Sequence, residues 1–217
     1  PRTGGATNDS GGSMDDDYFM GLDTPTGVGG LARDLGLRFV SGNLDRQYQA
    51  DIPDGLPPLP LLGNGGPEQV SDMCYGAFGG LPLQLFTYDA VGYVDDPSHV
   101  RRTCVLFTLP AHFAMLTVGP HSRLSRVQER SKDPFAARFR VLGRDPEVAT
   151  LVLDEPMQRW LMTVDETLRF ELSGRALLGH TPLKEPDEIA ALLQQVYGVY
   201  LRIPDQAWAR FGTDITL

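Results

Sequence analysis

Alternating hydrophobic and polar residues predict β-strands in the middle of the chain. Residues 81–94, LPLQLFTYDAVGYV, begin with leucines at every second position, which is the period of a half-buried strand. Residues 99–110, HVRRTCVLFTLP, become apolar on both faces in their second half, as a central strand does. Residues 114–119 predict a further short strand, and residues 135–141, FAARFRV, alternate apolar side chains with arginines. The pattern therefore indicates a strand-rich block over residues 71–141.

Helical periodicity follows later in the chain. Residues 145–153, DPEVATLVL, and 154–162, DEPMQRWLM, each begin with an aspartate suited to cap a helix and carry a proline in the first turn. Residues 186–202 predict the longest helix, with one apolar stripe and two acidic residues in its first turn. Between these helices, residues 167–180 predict a hairpin that turns at its central Ser-Gly pair.

Strands followed by helices, without βαβ alternation, predict an α+β fold: an antiparallel sheet of about six to eight strands with helices packed on it. The strand-rich block and the helix–hairpin–helix block of residues 145–203 are expected to be two lobes of a single domain, residues 27–205. Residues 1–26 are rich in Gly, Ser, Thr and Asp, so they bury too little apolar surface to offset the entropy of ordering and predict a flexible acidic tether. Residues 206–217 are expected to form a C-terminal tail.

The composition is that of a globular protein without a preference for nucleic acid. The chain has 217 residues, of which 41% are hydrophobic and 22% charged, and its formal net charge is −9. Nucleic-acid affinity comes mainly from Lys and Arg neutralising phosphates, so this excess of negative charge argues against a nucleic-acid partner. No run of 18 apolar residues occurs, and two cysteines provide no disulfide framework for a domain of this size.

The charge is distributed very unevenly along the chain. Residues 1–72 contain 11 acidic and 4 basic side chains, whereas residues 101–144 contain 9 basic and 2 acidic ones. Arginines on exposed strand faces are common, so a solvated surface is one interpretation of this segment. The other is a contact with an anionic surface, because each Lys or Arg near an anionic bilayer contributes about 1 kcal/mol. The candidate interaction surface comprises Arg101, Arg102, Arg123, Arg126, Arg130, Lys132, Arg138 and Arg140.

The stretch SDMCYGAFGG, residues 71–80, leaves three interpretations of Cys74: a nucleophile, part of a phosphate-binding loop, or a strand residue before a hairpin turn. A cysteine nucleophile needs a nearby base, and the four histidines show no spacing that promises one. A phosphate-binding loop would need a lysine and a spacing that are absent here. Residues 27–32, GVGGLA, fit a dinucleotide fingerprint in spacing but follow no hydrophobic strand, so they predict the entry into a short helix. Histidines and cysteines form no metal-ligand cluster, and no cofactor or metal is expected.

The glycine pair that ends this stretch predicts a hairpin. Its turn places Cys74 beside Leu85, and a second turn at residues 95–98 places Leu85 beside Val105. Cys104 then lies about 9–10 Å from Cys74, beyond the reach of a disulfide. Cys74 is therefore expected inside a strand.

Five stretches occur in a fixed order: YGAFGGLPLQLFTYD, VLFTLP, FAARFRVLGRDPEVA, MQRWLM and YLRIP. Together they resemble a family of largely uncharacterised actinobacterial domains, usually carried behind an N-terminal transmembrane helix. The resemblance covers about residues 35–205 and includes no catalytic signature. It implies a single-pass accessory protein facing the cytoplasm, which supports export of trehalose monomycolate for the mycolate layer in complex with an RND-type lipid transporter of the inner membrane. Because the chain begins at Pro1 without a methionine, the expected anchor is interpreted as removed upstream.

Three functional hypotheses follow. The first is a non-enzymatic adaptor of a lipid-export complex, whose partners are the transporter and anionic membrane lipids. The second is a lipid-binding carrier, which needs an apolar cavity between sheet and helices. The third is a hydrolase or acyltransferase that uses Cys74 or a serine.

Overall fold

The computed structural model describes residues 28–43, 70–90, 100–121, 132–182 and 184–211. Within these ranges, six strands form one sheet and six helices accompany it. The strands are β1 (Arg38–Asn43), β2 (Val70–Phe78), β3 (Leu81–Ala90), β4 (Val100–Pro120), β5 (Phe139–Gly143) and β6 (Arg169–Pro182). The helices are α1 (Val28–Leu35), α2 (Pro134–Arg138), α3 (Pro146–Val152), α4 (Glu155–Leu161), α5 (Pro186–Tyr200) and α6 (Asp205–Phe211).

The sheet is antiparallel throughout, which confirms the predicted α+β class. β1 to β5 are neighbours in chain order, and β6 pairs with β4. The first half of β4 lies between β3 and β6, whereas its second half lies between β5 and β6. Both halves of β4 therefore have a partner strand on each side, and the two predicted blocks share one sheet.

The hairpin between β2 and β3 is confirmed in detail. Gly79 and Gly80 have φ values of 58° and 83°, the positive angles that a two-residue hairpin turn of type I′ requires. Cys74 pairs with Leu85, and Leu85 pairs with Val105, as the spacing predicts. The predicted turn at residues 95–98 lies outside the described residues.

The predicted break between two strands at 99–110 and 114–119 is wrong, because β4 runs without interruption for 21 residues. Its irregularity is a set of bulges. Between Thr108 and Phe113, β4 advances five residues while β6 advances two, from Ala176 to Gly174. Extra residues of this kind bend a strand without ending it, and Pro110 is tolerated there because the ladder is already disrupted.

The predicted hairpin over residues 167–180 is also wrong. β6 is one strand of 14 residues, and the Ser-Gly pair predicted as its turn lies at the bulge opposite β4. Gly174 has φ +57°, which suits a bulge as well as a turn. Arg175 donates from Nε to the carbonyl oxygen of Leu109 at 3.0 Å. This side chain therefore supplies the bulge carbonyl with a hydrogen-bond donor.

The strand predicted over residues 135–141 is correct only in its second half. Residues Pro134–Arg138 form α2, and β5 begins at Phe139. The Oδ1 atom of Asp133 accepts a hydrogen bond from the amide of Phe135 at 2.9 Å, and Pro134 occupies the first turn. An N-cap with a following proline therefore overrides the alternating pattern in this segment.

The other predicted helices are confirmed. Asp145 and Asp154 cap α3 and α4 by accepting from the amides of Glu147 and Met157 at 2.9 and 2.8 Å. α5 covers most of the predicted 186–202 and carries a capping box between Glu185 and Glu188. α6 lies within the stretch expected to be a C-terminal tail, with Ala207 fully buried.

The helices cover one face of the sheet and build the main core. α5 packs on β6 and β4, and α1 packs against α5 and β2. Phe107 of β4 lies at the centre of this contact, with ring centroids 6.4 Å from Phe78 and 5.8 Å from Tyr197. The opposite face carries a second, smaller cluster of buried residues: Val70, Met73, Phe86, Tyr88, Cys104, Leu106, Ala176 and Leu178.

Candidate interaction surface

Five of the eight residues predicted as an interaction surface lie in the described part of the chain: Arg101, Arg102, Lys132, Arg138 and Arg140. Arg123, Arg126 and Arg130 lie outside the described residues. Lys132 is exposed at the start of the segment that leads into α2. Arg101 is exposed and donates from Nε to Oδ1 of Asp89 at 2.9 Å across the β3–β4 pair. Arg101 is thus a partly neutralised cation on the rim of the sheet.

Arg138 has a structural role. Its two terminal nitrogens donate to the carbonyl oxygens of Met162 and Val164, at 2.6 and 2.8 Å, and its guanidinium lies 4.9 Å from the ring centroid of Phe139. These contacts tie α2 to the turn after α4. The position of Arg138 is therefore fixed by contacts within the domain.

Arg102 and Arg140 lie on the sheet face opposite the helices. Arg102 precedes Cys104 by two positions on β4, and Cys104 belongs to the second cluster on that face. Arg140 pairs with Gly119, whose neighbour Val118 points into the main core. Arg140 is exposed, and Arg102 is half-buried.

Sequence reasoning missed a third arginine on this face, Arg169 at the start of β6. Its neighbours Leu168 and Phe170 both point into the main core, so Arg169 points to the other side. Burial lowers the pKa of Arg169, and the positive charges of Arg102 and Arg140 lower it further. The apolar–basic–apolar alternation of Leu168, Arg169 and Phe170 in the sequence indicates that Arg169 faces away from the core. The prediction of a hairpin over these residues left this signal unused.

Neither cysteine resembles an activated nucleophile. Cys74 is buried, and its thiol donates to the carbonyl oxygen of Val28 at 3.4 Å. Burial, with a smaller contribution from Asp72, raises the pKa of Cys74 to about 12. Cys74 and Cys104 are both free thiols, which confirms the prediction that they form no disulfide.

Cys104 lies directly opposite His180 in the β4–β6 pair, the pairing that a cysteine nucleophile and its base would need. Their surroundings act against that chemistry. Burial raises the pKa of Cys104, whereas burial and the charges of Arg102 and Arg169 lower the pKa of His180 to about 3. A thiolate–imidazolium pair would need both shifts in the opposite direction.

We expect Cys74 in the folded Cys104→Ala variant to react with a thiol-specific probe at least a hundredfold more slowly than a model thiol at pH 8. With a pKa of about 12, the thiolate fraction is about 10⁻⁴ at that pH, and the thiol is also buried. The rate is measured by stopped-flow or mass spectrometry. The same variant in denaturant is the control and should react like the model thiol. Faster labelling in the folded state would restore the nucleophile hypothesis.

Buried apolar side chains line the space between sheet and helices in the part of the chain that the structure describes. The main core there includes Leu85, Phe107, Leu193 and Val196, each 1% exposed or less. A surface depression of about 80 Å³ beside α5 is lined by Asp165, Lys184 and Glu188, among others. Lipid-sized ligands occupy several hundred Å³ of mainly apolar space. This depression is therefore too small and too polar to be a lipid-binding cavity.

Across residues 28–43, 70–90, 100–121, 132–182 and 184–211, no three or more His, Cys, Asp or Glu side chains are grouped so that they could hold a metal ion. In the same ranges, every helix is too short or too polar to cross a membrane.

The chain thus folds as an α+β domain with arginines on one sheet face and two buried, free thiols. No protein-family model matches the chain, and no curated protein matches its sequence. Among solved structures, it resembles the crystal structure of the mycobacterial trehalose monomycolate transport factor A, TtfA. The two share 12% sequence identity with a TM-score of 0.54, over 80% of this chain and 89% of the other. This likeness shows a shared fold.

Proposed function

We propose that this domain is a non-enzymatic accessory protein of an inner-membrane lipid-export complex, and that it supports transport of trehalose monomycolate. The observation that carries the proposal is the shared fold with TtfA, a trehalose monomycolate transport factor, over most of both chains. The two chains match over nearly the whole of the TtfA structure, so the similarity extends beyond a single motif.

The chemistry of the described residues supports an accessory role. Among the described residues, Cys104 and His180 are paired across β4 and β6 as a catalytic pair could be. Burial raises the pKa of the Cys104 thiol, and burial with the charges of Arg102 and Arg169 lowers the pKa of His180, so both groups are held in their neutral forms. Arginine side chains, in contrast, lie at the surface on an otherwise acidic protein of net charge −9. Uneven charge of this kind favours oriented docking on a complementary partner.

The proposed partner is an RND-type transporter of mycolate lipids, and the proposed location is the cytoplasmic face of the inner membrane. Arginines near that face would also be attracted to anionic lipids of the cytoplasmic leaflet. The strongly basic segment of residues 121–132, HSRLSRVQERSK, is the proposed docking element.

The test is co-purification of the intact protein, with every flanking segment that its gene encodes, from detergent-solubilised membranes of its native cells. We expect the transporter among the recovered proteins by mass spectrometry. Reversing charge in the Arg123→Glu, Arg126→Glu, Arg130→Glu variant should lower transporter recovery at least tenfold, because like charges at an interface cost several kcal/mol.

The control is the Arg33→Glu, Arg159→Glu variant, since both arginines are exposed and lie outside the basic segment. It should recover the transporter as the native protein does. Consistent absence of the transporter from all preparations would contradict the proposed function. Equal recovery with the triple variant would leave the function standing and assign those three arginines to the solvated surface.

A further inference from the structure

Two arginines flank a glycine on the sheet face opposite the helices. Gly119 of β4 pairs with Arg140 of β5 on one side. On its other side, the pairing of Val118 with Phe170 brings Arg169 of β6 next to Gly119. Residues directly opposite in neighbouring strands project from the same face of a sheet. Arg140 and Arg169 therefore project from the same face of the sheet. They lie on either side of β4, and Gly119 places no side chain between them.

Gly119 makes room for the side chain of Arg169. A Cβ atom at Gly119 would lie 2.7 Å from Cγ and 3.2 Å from Nη1 of Arg169, closer than such contacts allow. The stem of Arg169 thus lies across β4, on the side where Arg140 emerges. A glycine in a strand commonly marks such a close approach.

A third arginine, Arg102 of β4, lies on the same face of the sheet. Its positive charge, like that of Arg140, contributes to the lowered pKa of Arg169.

The same face carries further titratable groups. His180 shares the face and is neutral, since its pKa is lowered to about 3 by burial and by Arg102 and Arg169. Glu171, which is fully buried, projects on the same side two positions after Arg169. Arg140 and Arg169 therefore place two positive charges on this face on either side of Gly119. Among the described residues, neither Arg140 nor Arg169 has an acidic partner within ion-pair distance.

We propose that Arg140 and Arg169 bind a phosphate group. Two like charges on one sheet face repel each other, and an anion bound between them would offset that repulsion. Guanidinium groups bind phosphate through paired N–H donors, and several oxygens of one phosphate can accept from both side chains. Arg140 is exposed, so an incoming anion can reach the site from solvent. The group is carried by a phospholipid or by a free phosphate compound, and the proposal stands independently of the transport role.

The first experiment titrates the intact protein with inorganic phosphate by NMR or calorimetry and measures sedimentation with vesicles. Vesicles of phosphatidylcholine alone are compared with vesicles that also contain phosphatidylglycerol. Binding only to the phosphatidylglycerol vesicles, competed by phosphate, identifies a lipid headgroup as the ligand. Binding of phosphate without binding of vesicles identifies a soluble phosphate compound. No binding in either measurement overturns the proposal.

Variants locate the site. Arg169→Gln and Arg140→Gln should each weaken phosphate binding roughly tenfold or more, since each removes charge-assisted hydrogen bonds. Arg159→Gln removes the same charge from an exposed position of α4 and should bind phosphate as the native protein does. Equal binding by Arg169→Gln and Arg140→Gln, or equal loss with Arg159→Gln, would contradict the site.

Gly119→Ala separates geometry from charge. It retains every arginine, but the added Cβ displaces the stem of Arg169. We expect weaker phosphate binding at unchanged net charge, with folding checked by circular dichroism. If this variant fails to fold, Arg140→Gln decides, because Arg140 is exposed and its replacement leaves the packing intact.

Discussion

Replacing Phe107 with alanine is expected to lower the free energy of unfolding by about 3–5 kcal/mol, the usual cost of removing a buried aromatic ring. Phe107 is fully buried and contacts both Phe78 of β2 and Tyr197 of α5. The Phe78 and Tyr197 rings also contact each other edge to face at 5.2 Å. Loss of Phe107 therefore removes the centre of a three-ring cluster that joins the sheet to its longest helix.

Chemical denaturation, followed by circular dichroism, measures this change. The control is Leu201→Ala, because Leu201 is 60% exposed after the end of α5 and its truncation should change stability by about 0.5 kcal/mol or less. A Phe107→Ala cost no larger than that of Leu201→Ala would mean that α5 does not pack on β4 as described.

Stability is expected to fall in acid because of His180. The ring is 2% exposed, and burial together with Arg102 and Arg169 lowers the pKa of His180 to about 3, whereas an unfolded histidine titrates near 6.5. Nε2 of His180 has no hydrogen-bond partner among the described residues, so a proton on this atom would have no acceptor there. Between about pH 6.5 and pH 3, His180 is protonated in the unfolded chain but neutral in the folded protein. The free energy of unfolding therefore decreases as the pH falls.

Linkage gives a loss of about 2–3 kcal/mol at pH 4.5 relative to pH 7.5 from His180 alone. Denaturant midpoints of the native protein and a His180→Gln variant, measured at both pH values, isolate this contribution. His121→Gln is the matched control, since it removes another buried histidine. Equal acid sensitivity in the native protein and His180→Gln would show that His180 is not the group responsible.

Features encoded by neighbouring residues were predictable from the sequence. The Gly79-Gly80 turn follows from two adjacent residues that tolerate positive φ, and the caps of α3 and α4 follow from Asp-Pro and Asp-Glu-Pro signals. Asp133-Pro134 is the same kind of signal. It predicts α2, but the alternating pattern after it pointed to a strand, and the local cap prevailed.

Features that depend on distant partners were not predictable. The continuity of β4 and β6 depends on each strand supplying the other with a partner through the bulge near Gly174, and no local pattern distinguishes that bulge from a turn. The same holds for the arginines. Arg138 donates to carbonyl oxygens that lie 24 and 26 residues further along the chain. Arg169 and Arg140 lie on one face only because β6 and β5 both pair with β4.

The place of β6 beside β4 has a consequence during synthesis of the chain. β4 is complete at residue 120, but β6 begins at residue 169, so a nascent chain that has just left the ribosome exposes one long edge of its central strand. Unsatisfied amides and carbonyls along an apolar edge recruit other strands and lead to aggregation. We therefore expect chains that terminate before residue 169 to be bound by chaperones or degraded by proteases. The free edge of β4 is paired only after β6 has emerged from the ribosome.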